Sequence, residues 1–196
     1  LFSNFTYFLD NPLRGDQFEQ QDGRWVYGGE LTRQWANRRI FGHEAEYTVG
    51  LQTRHDLVDG IGLYKTSRRE RLETVRVDDI NQASIGLFGE ATVQWTPWFR
   101  TVTGLRADAF YFDVSSDTPA NSGSDWDGIV SPKISAVFGP WAETELYLNI
   151  GTGFHSNDAR GVNNSRDPLT GDPLDAVDPL VRTTGAEIGI RTQIVP

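Results

Sequence analysis

The chain has 196 residues, no cysteine and no methionine, and a net charge of −9 from 18 basic and 27 acidic side chains. Disulfides and thiolate metal sites are therefore excluded, and the acidic balance argues against nucleic acid, whose affinity comes mainly from Lys and Arg on phosphates. No apolar run approaches the roughly 20 residues of a membrane helix, which says nothing about strands that cross a membrane with alternating residues.

Taken in chain order, the elements follow a period of two. An apolar run, Leu1–Leu9, reads as a strand, and polar Asp10–Gly23 reads as a loop. Trp25–Trp35 is a second strand, and Ala36–His43 a turn. Glu44–Lys65 is expected to form one tall strand, with Asp56–Gly60 as a bulge rather than a reversal; Asp59-Gly60 also has the composition of a two-residue hairpin turn. Thr66–Asn81 is polar and reads as a long loop. In Ala83–Trp95 the positions Ile85, Leu87, Ala91 and Val93 oppose Ser84, Glu90 and Gln94. After a short link at Thr96-Pro97, Trp98–Phe112 repeats the pattern, with Leu105, Ala107 and Ala109 against Arg100, Arg106 and Asp108.

Asp113–Asp127 has loop composition. The next strand carries Ser131-Pro132-Lys133-Ile134 and ends in a turn expected at Gly139-Pro140-Trp141. Ala142–Ile150 sets Leu146, Leu148 and Ile150 against Glu143, Glu145 and Asn149. The long polar stretch His155–Pro179 follows, and Leu180–Val195 closes the chain with Ile188 and Ile190 opposite Glu187 and Arg191. The count is eight hairpin-joined strands and a single domain over 1–196. Both ends lie in apolar runs, as expected of an internal piece of something longer.

The alternation, the length of the strands, isolated mid-strand charges and aromatic residues near strand ends (Trp25, Tyr27, Trp95, Trp98, Tyr111, Trp141) point to an all-β, antiparallel, up-and-down transmembrane barrel wall. On that reading Leu87, Ala91, Val93, Leu105, Leu146, Leu148, Ile188 and Ile190 face lipid. Glu90, Arg106, Asp108, Lys133, Glu145, Glu187 and Arg191 face the lumen. Pattern alone also admits a small complete eight-stranded outer-membrane barrel with a structural or adhesive role, or a soluble β-rich domain.

One stretch stands apart: Gly151-Thr152-Gly153-Phe154-His155-Ser156-Asn157-Asp158-Ala159-Arg160-Gly161, which leaves a strand and enters the longest polar segment. It resembles a stretch near the carboxyl end of TonB-dependent outer-membrane receptors. Asn4–Pro12, Gly15–Gln20, Gly62-Leu63-Tyr64, Gly104–Asp108, Ser131–Ile134, Asp178–Arg182 and Gly185–Arg191 extend the resemblance in the family's order. It implies a segment of a 22-stranded barrel in the outer membrane of a Gram-negative bacterium. It also implies energy-coupled uptake of a ferric siderophore or similar scarce ligand, with TonB as partner through a plug domain that this sequence does not contain. No cofactor is implied.

His155, Asn157, Asp158 and Arg160 are the candidate ligand-contacting residues, and a hydrogen-bonded loop base is the competing reading of the same four. Asp167, Asp172, Asp175 and Asp178 form an oxygen-rich loop but lack the ligand spacing of an EF-hand. The three histidines, His43, His55 and His155, show no metal-ligand spacing. No nucleophile elbow, phosphate-binding glycine loop or zinc-protease motif is present, so no catalytic residue is assigned and the chain is not read as an enzyme.

Overall fold

The computed structural model describes residues 12–13 and 15–193. Seven strands make one antiparallel sheet in sequence order: β1 (Gln17–Ile40), β2 (His43–Ser67), β3 (Glu70–Thr96), β4 (Phe99–Ser116), β5 (Gly123–Trp141), β6 (Thr144–Ser156) and β7 (Leu180–Thr192). Each strand pairs with the next, and among the described residues β1 and β7 are the open edges. Among the described residues, a 3-10 turn, Pro119–Asn121, and one short helix, α1 (Ala159–Val162), are the helical elements. The expected first strand, Leu1–Leu9, lies outside the described residues.

The strands are longer than their apolar stretches suggest. β1 begins at Gln17, so the second half of the loop expected at Asp10–Gly23 is strand. The loop expected at Thr66–Asn81 contracts to the two-residue turn Arg68-Arg69, with β3 starting at Glu70. These strand tops mix scattered apolar residues with many polar ones, so they carry no strict hydrophobic alternation to read. They are held by side chains instead. Arg71 grips Glu19 through two bonds of 2.7 Å, reaches Gln21 at 2.8 Å, and covers the Tyr64 ring at 3.9 Å. The Arg71 guanidinium, bonded to Glu19, holds that carboxyl below its usual range. Lys65 pairs with Glu73 across the same hairpin.

Three of the two-residue turns place both central residues at positive φ: Phe41-Gly42, Arg68-Arg69 and Ala142-Glu143. That is the type I′ geometry whose twist matches the flanking strands. It also corrects the Gly139-Pro140-Trp141 turn: β5 runs through these residues, with a register irregularity between Phe138 and Trp141, and reverses at Ala142-Glu143. Likewise the Ala36–His43 turn shrinks to Phe41-Gly42, with a bulge at Asn37 (φ 55°). The Asp113–Asp127 loop shrinks to 117–122. Asp59-Gly60 is a bulge: β2 continues through it with a register shift between Val58 and Ile61, and Asp79 accepts the Gly60 N–H at 2.7 Å.

Register separates the two faces as the alternation requires. Leu87, Leu105, Leu148, Ile188 and Ile190 are exposed on one face. Glu90, Arg106, Asp108, Lys133, Glu145, Glu187 and Arg191 share the other. Val93 lies on the apolar face but is buried. Its neighbour across β4 is Thr101, whose hydroxyl takes the Trp95 indole N–H at 2.8 Å, so the indole reaches over this row.

Two aromatic belts bound the apolar face. The lower one holds the ring pairs Trp35–Tyr47, His43–Trp95, Trp98–Trp141 and Phe99–Phe138. The upper one is a single registered row of Tyr27, His55, Ala83, Tyr111 and Trp126. On β4, Phe99 and Tyr111 are separated by about 30 Å along the barrel normal at ordinary strand rise and tilt. That brackets an apolar band of ~25 Å. Arg33 is the departure: it shares the apolar face, and its guanidinium lies 5.0 Å from the Trp35 ring centre.

Candidate functional site

The polar face carries a ladder of long side chains that cross whole strands. Arg100 of β4 reaches over β5 to Glu145 of β6 at 2.7 and 3.1 Å. Lys133 of β5 reaches over β4 to Glu90 of β3 at 2.5 Å. Arg106 of β4 holds Asp108 and reaches over β3 to Gln52 of β2 at 2.9 Å. Two crossings pass over a glycine in the strand beneath, Lys133 over Gly104 and Arg106 over Gly86. A Cβ at Gly104 would lie 2.5 Å from Lys133 Cε, and one at Gly86 would lie 2.5 Å from Asp108 Oδ1. The side chains therefore lie flat along the wall rather than filling the space in front of it.

That space is a cavity of about 770 Å³. Its walls include Arg24, Gln52, Arg54, Gln82, Arg106 and Asp108, and Phe154, Ser156, Asn157, Asp158 and Ala159 line its top. Each arginine is matched by a carboxylate: Arg54 is bidentate to Asp56 at 2.7 and 2.8 Å, and Arg24 lies 3.8 Å from Asp56. The site is thus a polar surface of near-balanced charge. It presents planar guanidinium, carboxylate and amide groups, suited to directional hydrogen bonding more than to capture of a bare anion.

The loop after β6 closes the top of this cavity by folding onto the polar face. Ala159 and Val162 of α1 and Leu180 of β7 join Val58, Ile80, Phe112, Val114 and Ile129 in the main buried cluster, with Phe154 packed against it. Phe154 meets Phe110 edge-on at 5.7 Å. A buried Asn121 ties the loop to the β4–β5 connection. Its side-chain carbonyl accepts the N–H groups of Ser165 (3.0 Å) and Arg166 (2.8 Å), and its amide donates to the Arg166 carbonyl at 2.9 Å. Ser165 Oγ also donates to the Ala120 carbonyl. Beneath the loop, Arg76 and the fully buried Asp78 stand 2.5 Å apart in a close ion pair that lacks hydrogen-bond alignment.

The four residues singled out from the sequence lie at the base of this loop. Asn157 donates to the Asp178 carbonyl at 2.7 Å, and its own N–H bonds the Pro179 carbonyl at 2.9 Å, which clamps the two ends together. Asp158 is the N-cap of α1, accepting the Arg160 N–H at 2.9 Å and a two-point bond from its guanidinium at 2.9 and 2.8 Å. Burial pushes the Asp158 carboxyl up, but the side-chain and backbone bonds from Arg160 outweigh it and leave it below its usual value. His155 is exposed at the end of β6, opposite Val181. Asn157 and Asp158 also line the cavity; His155 and Arg160 do not.

The acidic loop is folded on itself. Asp167 accepts the N–H groups of Leu169 and Thr170 as an Asx turn, and Arg166 donates to the Gly171 carbonyl. Among the described residues no group of three or more His, Asp or Glu side chains is placed to hold a metal ion. The cavity and loop-tethering residues that the sequence did not single out are Gln52, Arg54, Asp56, Gln82 and Asn121. The first four belong to the polar alternation; the fold gathers Gln52, Arg54 and Gln82 around one space, with Asp56 bonded to Arg54.

The family model described as TonB dependent receptor-like, beta-barrel matches residues 1–193. The chain belongs to that family. The polar face is accordingly the inner wall of a TonB-dependent receptor barrel, the apolar face with its two belts meets the outer membrane, and the seven described strands are a section of that wall. The family is one of receptors and transporters rather than enzymes. The β6–β7 loop and the Asn121 connection lie on the side opposite the short turns Phe41-Gly42, Pro97-Trp98 and Ala142-Glu143, which is the outer side for a barrel with long external loops. No curated protein sequence matches the chain.

Proposed function

We propose that this wall belongs to a receptor that takes up a ferric siderophore or a similarly scarce, hydrogen-bond-rich ligand, driven through TonB, and that the cavity under the β6–β7 loop is where the ligand is first held. The observation that carries this reading is the constellation of Arg24, Gln52, Arg54, Gln82, Arg106 and Asp108 around about 770 Å³ on the inner wall, bounded above by Phe154 and Ser156 to Ala159. A volume of this order suits a compact chelate of drug-like size. Side chains held flat by Gly86 and Gly104 leave it free. Asn157 and Asp158 bound the same space, so the ligand-contact role expected for them is proposed there; Arg160 acts by holding Asp158. His155 is proposed to meet ligand only at the loop's outer rim.

The test is binding and uptake by the intact receptor, measured for a panel of ferric siderophores with cobalamin as a different scarce ligand. Arg106→Ala with Gln52→Ala should raise Kd at least tenfold for the ligand that binds, with the heat-modifiable barrel undiminished; each lost charge-assisted bond contributes about 1.5–3 kcal/mol. Unchanged affinity in this double variant would remove the cavity from ligand capture. Binding of none of the ferric complexes would remove the siderophore reading while leaving the barrel assignment in place.

A further inference from the structure

The ladder between β5 and β6 is incomplete. β5 pairs with β4 along Gly123–Phe138, yet it pairs with β6 only from Lys133 (opposite Gly151) downward. Above that point β6 leaves β5, and the side of β5 from Gly123 to Pro132 faces no strand among the described residues. Pro132 sits where pairing stops, and its missing N–H removes the next ladder bond on that side.

The open side is covered by side chains. Asp125 accepts the N–H of Trp126 at 2.8 Å, and Asp127 accepts that of Gly128 at 2.7 Å. Arg182 of β7 donates to the Val130 carbonyl at 2.6 Å, and Thr152 reaches the Pro132 carbonyl at 3.5 Å. Val130 lies opposite Ala107, below the Tyr111–Trp126 belt, at a depth where uncovered backbone is costly.

Phe154 shows what the gap permits. In β6 it shares the parity of Leu146, Leu148 and Ile150, the outward face. Above the point of separation, however, its ring turns inward onto Phe110 of the inner wall. If the existing register simply continued, Thr152 would face Pro132, Phe154 would face outward Val130, and Ser156 would face Gly128. The tip of β6 thus has two possible partners: the inner-wall cluster it now occupies, and the free side of β5 that its own alternation matches.

We propose that the β5–β6 seam is a zipper that works the loop over the cavity. With the seam open, Phe154, Ala159 and Val162 are docked inside and the cavity is roofed. When β6 zips upward onto β5, Phe154 turns out beside Val130, α1 is drawn off the inner wall, and the cavity opens to the outside. Asp125, Asp127 and Arg182 hold the seam open by occupying the backbone groups that zipping would use, and Asn121 holds the loop down.

Paired cysteines in the intact receptor, oxidised in outer-membrane preparations, distinguish the two arrangements, since this chain has no cysteine of its own. Gly123→Cys with Asn163→Cys reports the docked loop, because a Cβ at Gly123 lies 3.2 Å from Asn163 Oδ1. Gly128→Cys with Ser156→Cys reports the zipped seam. Neither pair disturbs the phenylalanines or Asn121.

Both cross-links should form, the docked one in excess. Asn121→Ala should raise the zipped-to-docked ratio about tenfold, by removing a buried side chain that makes three backbone bonds. Pro132→Ala, which returns an N–H to the ladder without touching the loop, should move the ratio in the same direction. Three results would overturn the proposal: a zipped pair that stays uncross-linked in both backgrounds, a zipped pair that closes fully whatever the background, or a docked pair that never closes.

Discussion

Leu105→Arg measures how deep the apolar face sits in the bilayer. Leu105 is half exposed on β4, a strand paired on both sides. It lies midway between Phe99 of the lower belt and Tyr111 of the upper one, on the order of 15 Å from each at ordinary strand rise and tilt. That is the depth at which an arginine on a barrel's lipid face costs most, about 2–4 kcal/mol, against about 0–1 near an interface. Ala109→Arg provides the comparison: same strand, same face, also exposed, but only two positions from Tyr111. Folding of the intact receptor into lipid vesicles across a urea series, read by heat-modifiable migration, should separate the two variants by roughly 2 kcal/mol. Equal costs at the two positions would show that the belts do not bound the membrane, and a harmless Leu105→Arg would show that the faces are reversed.

The ladder predicts that Gly104→Val, whose side chain would collide with Lys133, breaks the Lys133–Glu90 pair and pushes Lys133 into the lumen. Ligand affinity should fall while assembly persists, and assembly lost together with affinity would make Gly104 a folding residue instead. At the loop base, the Asp158 carboxyl is held below its ordinary value, so the Arg160 pair contributes fully above the unfolded value and is lost as pH falls through the lower folded value. Hydrogen exchange of 159–163 should therefore accelerate only below about pH 4, by an amount equivalent to about 0.5 kcal/mol once solvent screening of a half-exposed pair is allowed for. Asp158→Asn should remove that pH dependence, and its persistence would assign it to another group. Asn157→Ala should loosen the clamp on Asp178 and Pro179 by about 1 kcal/mol, read as faster proteolysis within 163–177; unchanged cleavage would leave the loop held by Asn121 and the buried cluster alone.

Alternation together with strand length, mid-strand charges and aromatic residues near strand ends pointed to a barrel wall, because a wall with water on one side and lipid on the other forces a period of two wherever it crosses the membrane; a soluble sandwich alternates as well, so the period by itself did not choose between them. Leu105 against Arg106, and Leu148 against Glu145, could be assigned to faces without any coordinates. A bulge at Asp56–Gly60 followed from the tall strand needed to keep the hairpins in order, but Asp59-Gly60 read equally as a two-residue turn, and only the continuous β2 decided between them. Above the upper belt the rule fails: Gln17–Gly23 and Glu70–Asn81 read as loops yet are strands, for strand pairing there rests on backbone bonds and on contacts such as Arg71 to Glu19 and Tyr64.

What only the tertiary structure decided is where the polar residues meet. Arg24, Gln52, Arg54 and Arg106 lie on three different strands and share a cavity only because the fold gathers them around one space. Asn121 and Ser165 are 44 positions apart and meet because one loop folds back over another. Phe154 marks the boundary most sharply. Its parity in β6 places it on the lipid face, and the loss of pairing beyond Lys133, with a proline next in line, lets the packing of a ring against Phe110 override the pattern written in its neighbours.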